Sequence, residues 1–141
     1  MLDVTKEVRL VKKIIQDKYP KTNTKKFLLV NLNIQKLIFV NNSKITDTYD
    51  ISSSKFGIGN LNDSYQTPLG LHMISDKIGE NQPINTIFKG RKIVKGGITI
   101  EDLSKPEFVN FKNEHFEEFD DFITSRILWL KGCEKGINLG D

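Results

Sequence analysis

Three short apolar runs laid end to end constrain this chain more than any other feature in it. Segments 27–32, 36–40 and 44–51 are rich in apolar and β-branched residues, and Asn33-Ile34-Gln35 and Asn41-Asn42-Ser43 separate them. Asn and Ser suit tight turns, so the pattern predicts a β-meander. A meander cannot bury its apolar face alone, and a β-sandwich or similar all-β core is the expected solution. At 141 residues the chain suits one compact domain. Apolar residues at 38% and charged residues at 28% exclude a disordered chain.

Ahead of the meander, residues 3–19 read as an amphipathic helix. Val4, Val8, Val11 and Ile15 recur at helical spacing on one face, with Ile14 beside them. Asp3 is the expected N-cap, and Pro20 stops the helix because it disfavours α geometry at Tyr19. Lys6, Arg9, Lys12 and Lys13 make the opposite face basic. Such a face is ordinarily solvated while the helix docks on its domain; the other reading is contact with an anionic membrane surface or nucleic acid. Residues 21–26 read as a lysine-rich linker. Residues 1–26 carry eight Lys/Arg against three acids, a net of +5, and residues 101–121 carry two Lys against eight acids, a net of −6. The overall +3 is too small to argue for nucleic acid, and none is expected as a partner. No stretch approaches the ~20 apolar residues of a membrane span, and the first residues lack the apolar region of a secretion signal.

Beyond the meander, 52–67 is a Ser/Gly/Asn-rich loop punctuated by Pro68-Leu69-Gly70. A short strand is predicted over 71–74, with loops and short strands over 75–100. The acidic stretch 101–121 is interspersed with Phe, and the 116, 119, 122 spacing allows a short helix with one aromatic face. Residues 125–130 read as a strand. His72 reads as a strand residue and His115 as a solvent-exposed one; no metal site is expected, because neither has partner ligands at a recognisable spacing. The run 114–121 lacks a calcium-loop spacing and reads as a solvated face. Gly57-x-Gly59 is not a dinucleotide fingerprint, so no cofactor is expected. Trp129 reads as core. Arg126 either pairs with an acid or faces a substrate cleft. Cys133, the single cysteine, has no neighbouring His in sequence and reads as inert.

Five blocks stand in order along residues 27–141. They are Val30-Asn31-Leu32 through Gln35-Lys36-Leu37; Ser52-Ser53-Ser54-Lys55-Phe56-Gly57-Ile58-Gly59-Asn60; Gln66-Thr67-Pro68-Leu69-Gly70-Leu71-His72; Ile78-Gly79-Glu80 with Phe88-Lys89-Gly90-Arg91; and Thr124-Ser125-Arg126-Ile127-Leu128-Trp129-Leu130-Lys131-Gly132 with Gly136-Ile137-Asn138. In this order they resemble the catalytic domain of YkuD-type L,D-transpeptidases: its opening hairpin, serine-glycine loop and Thr-Pro-x-Gly segment come first, and the last two blocks follow. The helix at 1–20 lies outside the resemblance.

The resemblance implies a mainly-β, β-sandwich-like domain over 27–141, preceded by a helix and linker over 1–26. It also implies a role in cross-linking or tailoring bacterial peptidoglycan. In that family a cysteine thiolate attacks a tetrapeptide stem, releases the terminal D-alanine and passes the acyl group to an acceptor amine. The implied partner is the peptidoglycan stem peptide, and the implied location is the periplasm or cell envelope. The family's chemistry lies in a His-Gly segment and a Ser-His-Gly-Cys loop, and neither occurs in this sequence. The domain is therefore expected to be incomplete at its C-terminus and catalytically inactive as it stands, with no catalytic residue to assign. Uncovered strand edges would then favour poor solubility or oligomers. Ser54, Thr67 and Arg126 are the candidate substrate-cleft residues. The rival reading is a non-catalytic protein that binds peptidoglycan or a partner through the loops around 52–70.

Overall fold

The computed structural model of the chain describes residues 4–117 and 122–138. Helix α1 (Val4–Lys18) buries Val8 and Ile15, four- and three-residue steps along the predicted apolar face. Ile14 departs from its expected place: it is exposed, as is Leu10. A helix turns about 100° per residue, which carries Ile14 off the face that Val8 and Ile15 occupy. The helix stops at Lys18, where the Tyr19 N–H still reaches the Ile15 carbonyl at 2.8 Å and Pro20 has no N–H to continue the ladder. The predicted cap, Asp3, lies outside the described residues.

The predicted meander is present. Strands β1 (Lys26–Asn31), β2 (Lys36–Asn41) and β3 (Lys44–Asp50) form an antiparallel sheet in that order. Asn42 and Ser43 both have positive φ (48° and 63°). A two-residue turn with both residues left-handed matches the twist of the strands it joins. Ile38 and Val40 alternate inward on β2 and meet Val8 of α1, with Val4, Phe27 and Leu29 packed around them. Each such buried side chain contributes roughly 1.5–3 kcal/mol over exposure. Asn31, only 5% exposed, ties helix to hairpin. Its Nδ2 donates to both Glu7 carboxylate oxygens (3.0 and 2.8 Å), and its Oδ1 accepts from the Asn33 and Ile34 N–H groups.

The chain divides into two compact units, Met1–Leu71 with Glu134–Asp141, and His72–Cys133. In the second, β4 (His72–Ile78) pairs antiparallel with β8 (Ile127–Gly132). Strands β5 (Ile87–Lys89), β6 (Lys92–Lys95) and β7 (Ile123–Thr124) form a sheet in the order β6-β5-β7. A 3-10 turn (Glu101–Ser104) precedes helix α2 (Pro106–His115). Ile87, Ile98 and Phe108 form the core, with Val94, Phe111, Phe116 and Phe122 against it. The Phe116 and Phe122 rings meet edge to face, centroids 4.8 Å apart.

Most of the short helix expected from the 116, 119, 122 spacing lies outside the described residues; Phe116, Glu117 and Phe122, which are described, are not helical. Pro at the first helical position starts α2 earlier, and the helix ends at His115 with Phe116 extended (φ −134°, ψ 149°). Phe116 and Phe122 pack instead on the α2 rings; Phe119 lies outside the described residues. The strand predicted over 71–74 runs further, as β4. That predicted over 125–130 begins only at Ile127, because Ser125 is left-handed (φ 67°). Trp129, read as core, is half-buried under the Arg91 guanidinium, 4.5 Å from its ring centroid. Among the described residues, strand at 33% against helix at 22% makes the chain mainly β, in three small antiparallel sheets with two short helices.

Candidate functional site

The Ser/Gly/Asn-rich loop after β3 is closed by a clasp. The Ser54 backbone N–H donates to Thr67 Oγ1 at 2.8 Å. The Thr67 N–H reaches the Gly57 carbonyl at 2.9 Å, and the Gly59 N–H reaches the Thr67 carbonyl at 3.0 Å. These bonds make a parallel bridge between Ile58 and Thr67. Ser54 Oγ donates to the Tyr65 carbonyl at 2.5 Å and accepts from the Phe56 N–H at 3.1 Å. A hydroxyl has one donor, so Ser54 Oγ has no proton left to offer a ligand, while Thr67 Oγ1 keeps its own. Gln35 anchors the loop's start: its Nε2 donates to the Leu32 carbonyl and to Ser53 Oγ, and its Oε1 accepts the Ser53 N–H at 2.9 Å.

A second tie secures the loop's end. One Glu134 oxygen accepts from Lys18 Nζ at 3.0 Å, and the other accepts the Leu71 N–H at 2.9 Å. The hydrogen bond that Lys18 donates to Glu134, followed by the charge of that carboxylate, raises the Lys18 pKa above the ordinary lysine value. Gly70 lets the turn come this close. Its φ is +104°, and a Cβ there would lie 2.5 Å from Ile137 Cδ1 and 2.6 Å from Glu134 Oε2. The sequence carried no local signal for Glu134, whose partners lie 63 and 116 residues away.

An open concavity of about 660 Å³ is lined by loop residues 59–66 and Pro68, joined by Gly136 and Asn138; neither Ser54 nor Thr67 lines it. Tyr65 is 80% exposed and Leu61 77% exposed beside it. The Tyr65 ring pairs with Phe56 at 6.0 Å. Asn60 Oδ1 accepts the Leu69 N–H at 3.0 Å, and Asn62 Nδ2 donates to Asp63 Oδ2 at 3.2 Å.

Of the predicted cleft residues, Ser54 and Thr67 share the clasp. Arg126 belongs to the second unit, where its guanidinium donates to the Gln82 carbonyl at 2.8 Å and to the Ser125 carbonyl, rather than to an acid. His72 stands opposite Gly132 on the β4–β8 ribbon. His115 is exposed and stacks on the Phe111 ring at 4.6 Å. Cys133 Sγ lies 4.0 Å from the Lys131 carbonyl. Among the described residues no group of three or more His, Cys, Asp or Glu is placed to hold a metal ion, and no helix is long and apolar enough to cross a membrane. Comparison with family models, curated proteins and solved structures found no match.

Proposed function

We propose that the chain is built on the L,D-transpeptidase plan, serves peptidoglycan remodelling in the cell envelope, and as it stands holds peptidoglycan without transferring acyl groups. The observation that carries this reading is the Ser54–Thr67 clasp. It joins the serine-glycine loop to the Thr-Pro-Leu-Gly segment, two of the blocks on which the resemblance rests, across thirteen residues. The Leu71–Glu134 bond adds support, because it draws the segment around Gly136-Ile137-Asn138 to the same loop.

Acyl transfer needs a thiolate activated by a cationic neighbour, and donors for the developing oxyanion. The sequence contains no His-Gly and no Ser-His-Gly-Cys segment: Met73 follows His72, and Phe116 follows His115. The test is co-sedimentation with purified sacculi together with an assay for D-alanine release. Retention on sacculi with no released D-alanine supports the reading, and failure to be retained contradicts it.

A further inference from the structure

We infer that the concavity over residues 59–66 is a saccharide site, and that within peptidoglycan it takes the neutral glycan and not the stem peptide. The inference deepens the proposed function and rests on it for the choice of sugar. A pyranose is amphiphilic, with a face of C–H bonds and a rim of hydroxyls. Tyr65 and Leu61 supply the apolar platform: at 80% and 77% exposed, both large side chains stand out from the loop. An aromatic ring presented this way offers a flat apolar face with a polar tip.

Around that platform stand four side-chain amides, Asn60, Asn62, Gln66 and Asn138. An amide both donates and accepts, as a sugar hydroxyl does, so the lining matches a hydroxyl rim in either direction. Two of the amides are already oriented by the loop. Asn60 commits its oxygen to the Leu69 N–H, and Asn62 is held against Asp63.

Charge separates the saccharide from a peptide. Among the described residues no Lys, Arg or His lines the concavity, and the one carboxylate among them is Asp63. A stem peptide's carboxylates would meet Asp63 with no Lys, Arg or His in the described lining to pair with them. A neutral sugar chain meets no such penalty. The volume, about 660 Å³, falls within the range of small-ligand sites and leaves room for more than one ring.

The experiment is saturation-transfer NMR and calorimetric titration with the N-acetylglucosamine tetramer and, separately, with the free stem tetrapeptide. The tetramer is expected to bind at millimolar concentration or better, and the tetrapeptide not to bind. Tyr65→Ala should weaken the tetramer by about tenfold or more, a loss of about 1.4 kcal/mol. Tyr65→Phe should retain binding, since it keeps the ring. Tyr49→Ala, on the exposed strand β3, should change nothing. Because the Tyr65 ring is exposed, its removal leaves the fold intact, which the amide spectrum checks. No tetramer binding, or tetramer binding unmoved by Tyr65→Ala, overturns the inference. Sacculi retained without tetramer binding would sink the saccharide site and leave the peptidoglycan reading standing. Tetramer binding without sacculus retention would do the reverse.

Discussion

Glu134 accepts a hydrogen bond from Lys18 at 3.0 Å, which ties the end of the first helix to a turn 116 residues further along the chain. The other oxygen of the same carboxylate accepts the Leu71 N–H. Glu134→Gln keeps an acceptor for Leu71 and loses the ion pair, whereas Glu134→Ala loses both. Chemical denaturation should therefore rank Glu134→Ala below Glu134→Gln, by about 1 kcal/mol for the backbone bond. The Lys18 pKa is raised in the folded chain, so its stabilising contribution is complete below the ordinary lysine value of 10.5 and is lost as pH rises through the raised value. The gap in Tm between the parent and Lys18→Gln should narrow above that pH. A gap that widens there would refute the assignment.

Asp102 predicts a dependence at the other end of the pH scale. It accepts from Lys105 Nζ at 2.7 Å, from the Thr99 N–H at 2.7 Å and from the Thr99 hydroxyl at 2.9 Å. Lys105 first, and Thr99 after it, hold this carboxyl well below its ordinary value. Its contribution to stability is present above the ordinary value of 3.8 and disappears as pH falls through the depressed one. Carboxyl NMR should find Asp102 still ionised at pH values where exposed carboxyls have taken up their protons. Titration with the ordinary carboxyls would show that the turn before α2 is not formed in solution.

The clasp can be opened with one atom. Thr67→Val removes the acceptor of the half-buried Ser54 N–H and preserves shape, at a cost of about 1 kcal/mol. Hydrogen exchange should accelerate at Gly59 and at residue 67, whose N–H groups close the same loop, and leave the β1–β2 ladder unchanged. Uniform acceleration across both would mean the loop has no stability of its own.

The β4–β8 ribbon predicts self-association. Met73, Ile74, Leu128 and Leu130 are each at least 40% exposed on two strands that pair only with each other among the described residues. Exposed apolar ribbons with open edges recruit further strands. Sedimentation should show concentration-dependent oligomers that Leu128→Lys combined with Leu130→Lys reduces. A parent chain that remains monomeric at high concentration would contradict this.

Much of the first unit was legible in the sequence because its signals are local. Turn residues at Asn42-Ser43 and alternating Ile38 and Val40 specify the meander within a few residues, and the spacing of Val8 and Ile15 specifies the buried face of α1. Ile14 was misplaced because one residue of helix rotation separates two aliphatic neighbours. In the aromatic stretch, Phe116 and Phe122 satisfy a helical period in sequence, and both pack onto the α2 rings Phe111 and Phe108, a contact that period alone does not mark. Pro106 was a local signal for where α2 starts. In the candidate site, the serine-glycine loop and Thr67 were visible as motifs, whereas the partners that close the site were not. Gln35 and Glu134 act through contacts 18 and 63 residues away, and no local pattern marks such pairs.

The most direct test of the central claim is to incubate the purified chain with sacculi and with the disaccharide tetrapeptide, and to measure retention and released D-alanine together. Saturable retention with no D-alanine release, unchanged in Cys133→Ser, is the result predicted. A chain that is not retained, or one that releases D-alanine and loses that activity in Cys133→Ser, would contradict it.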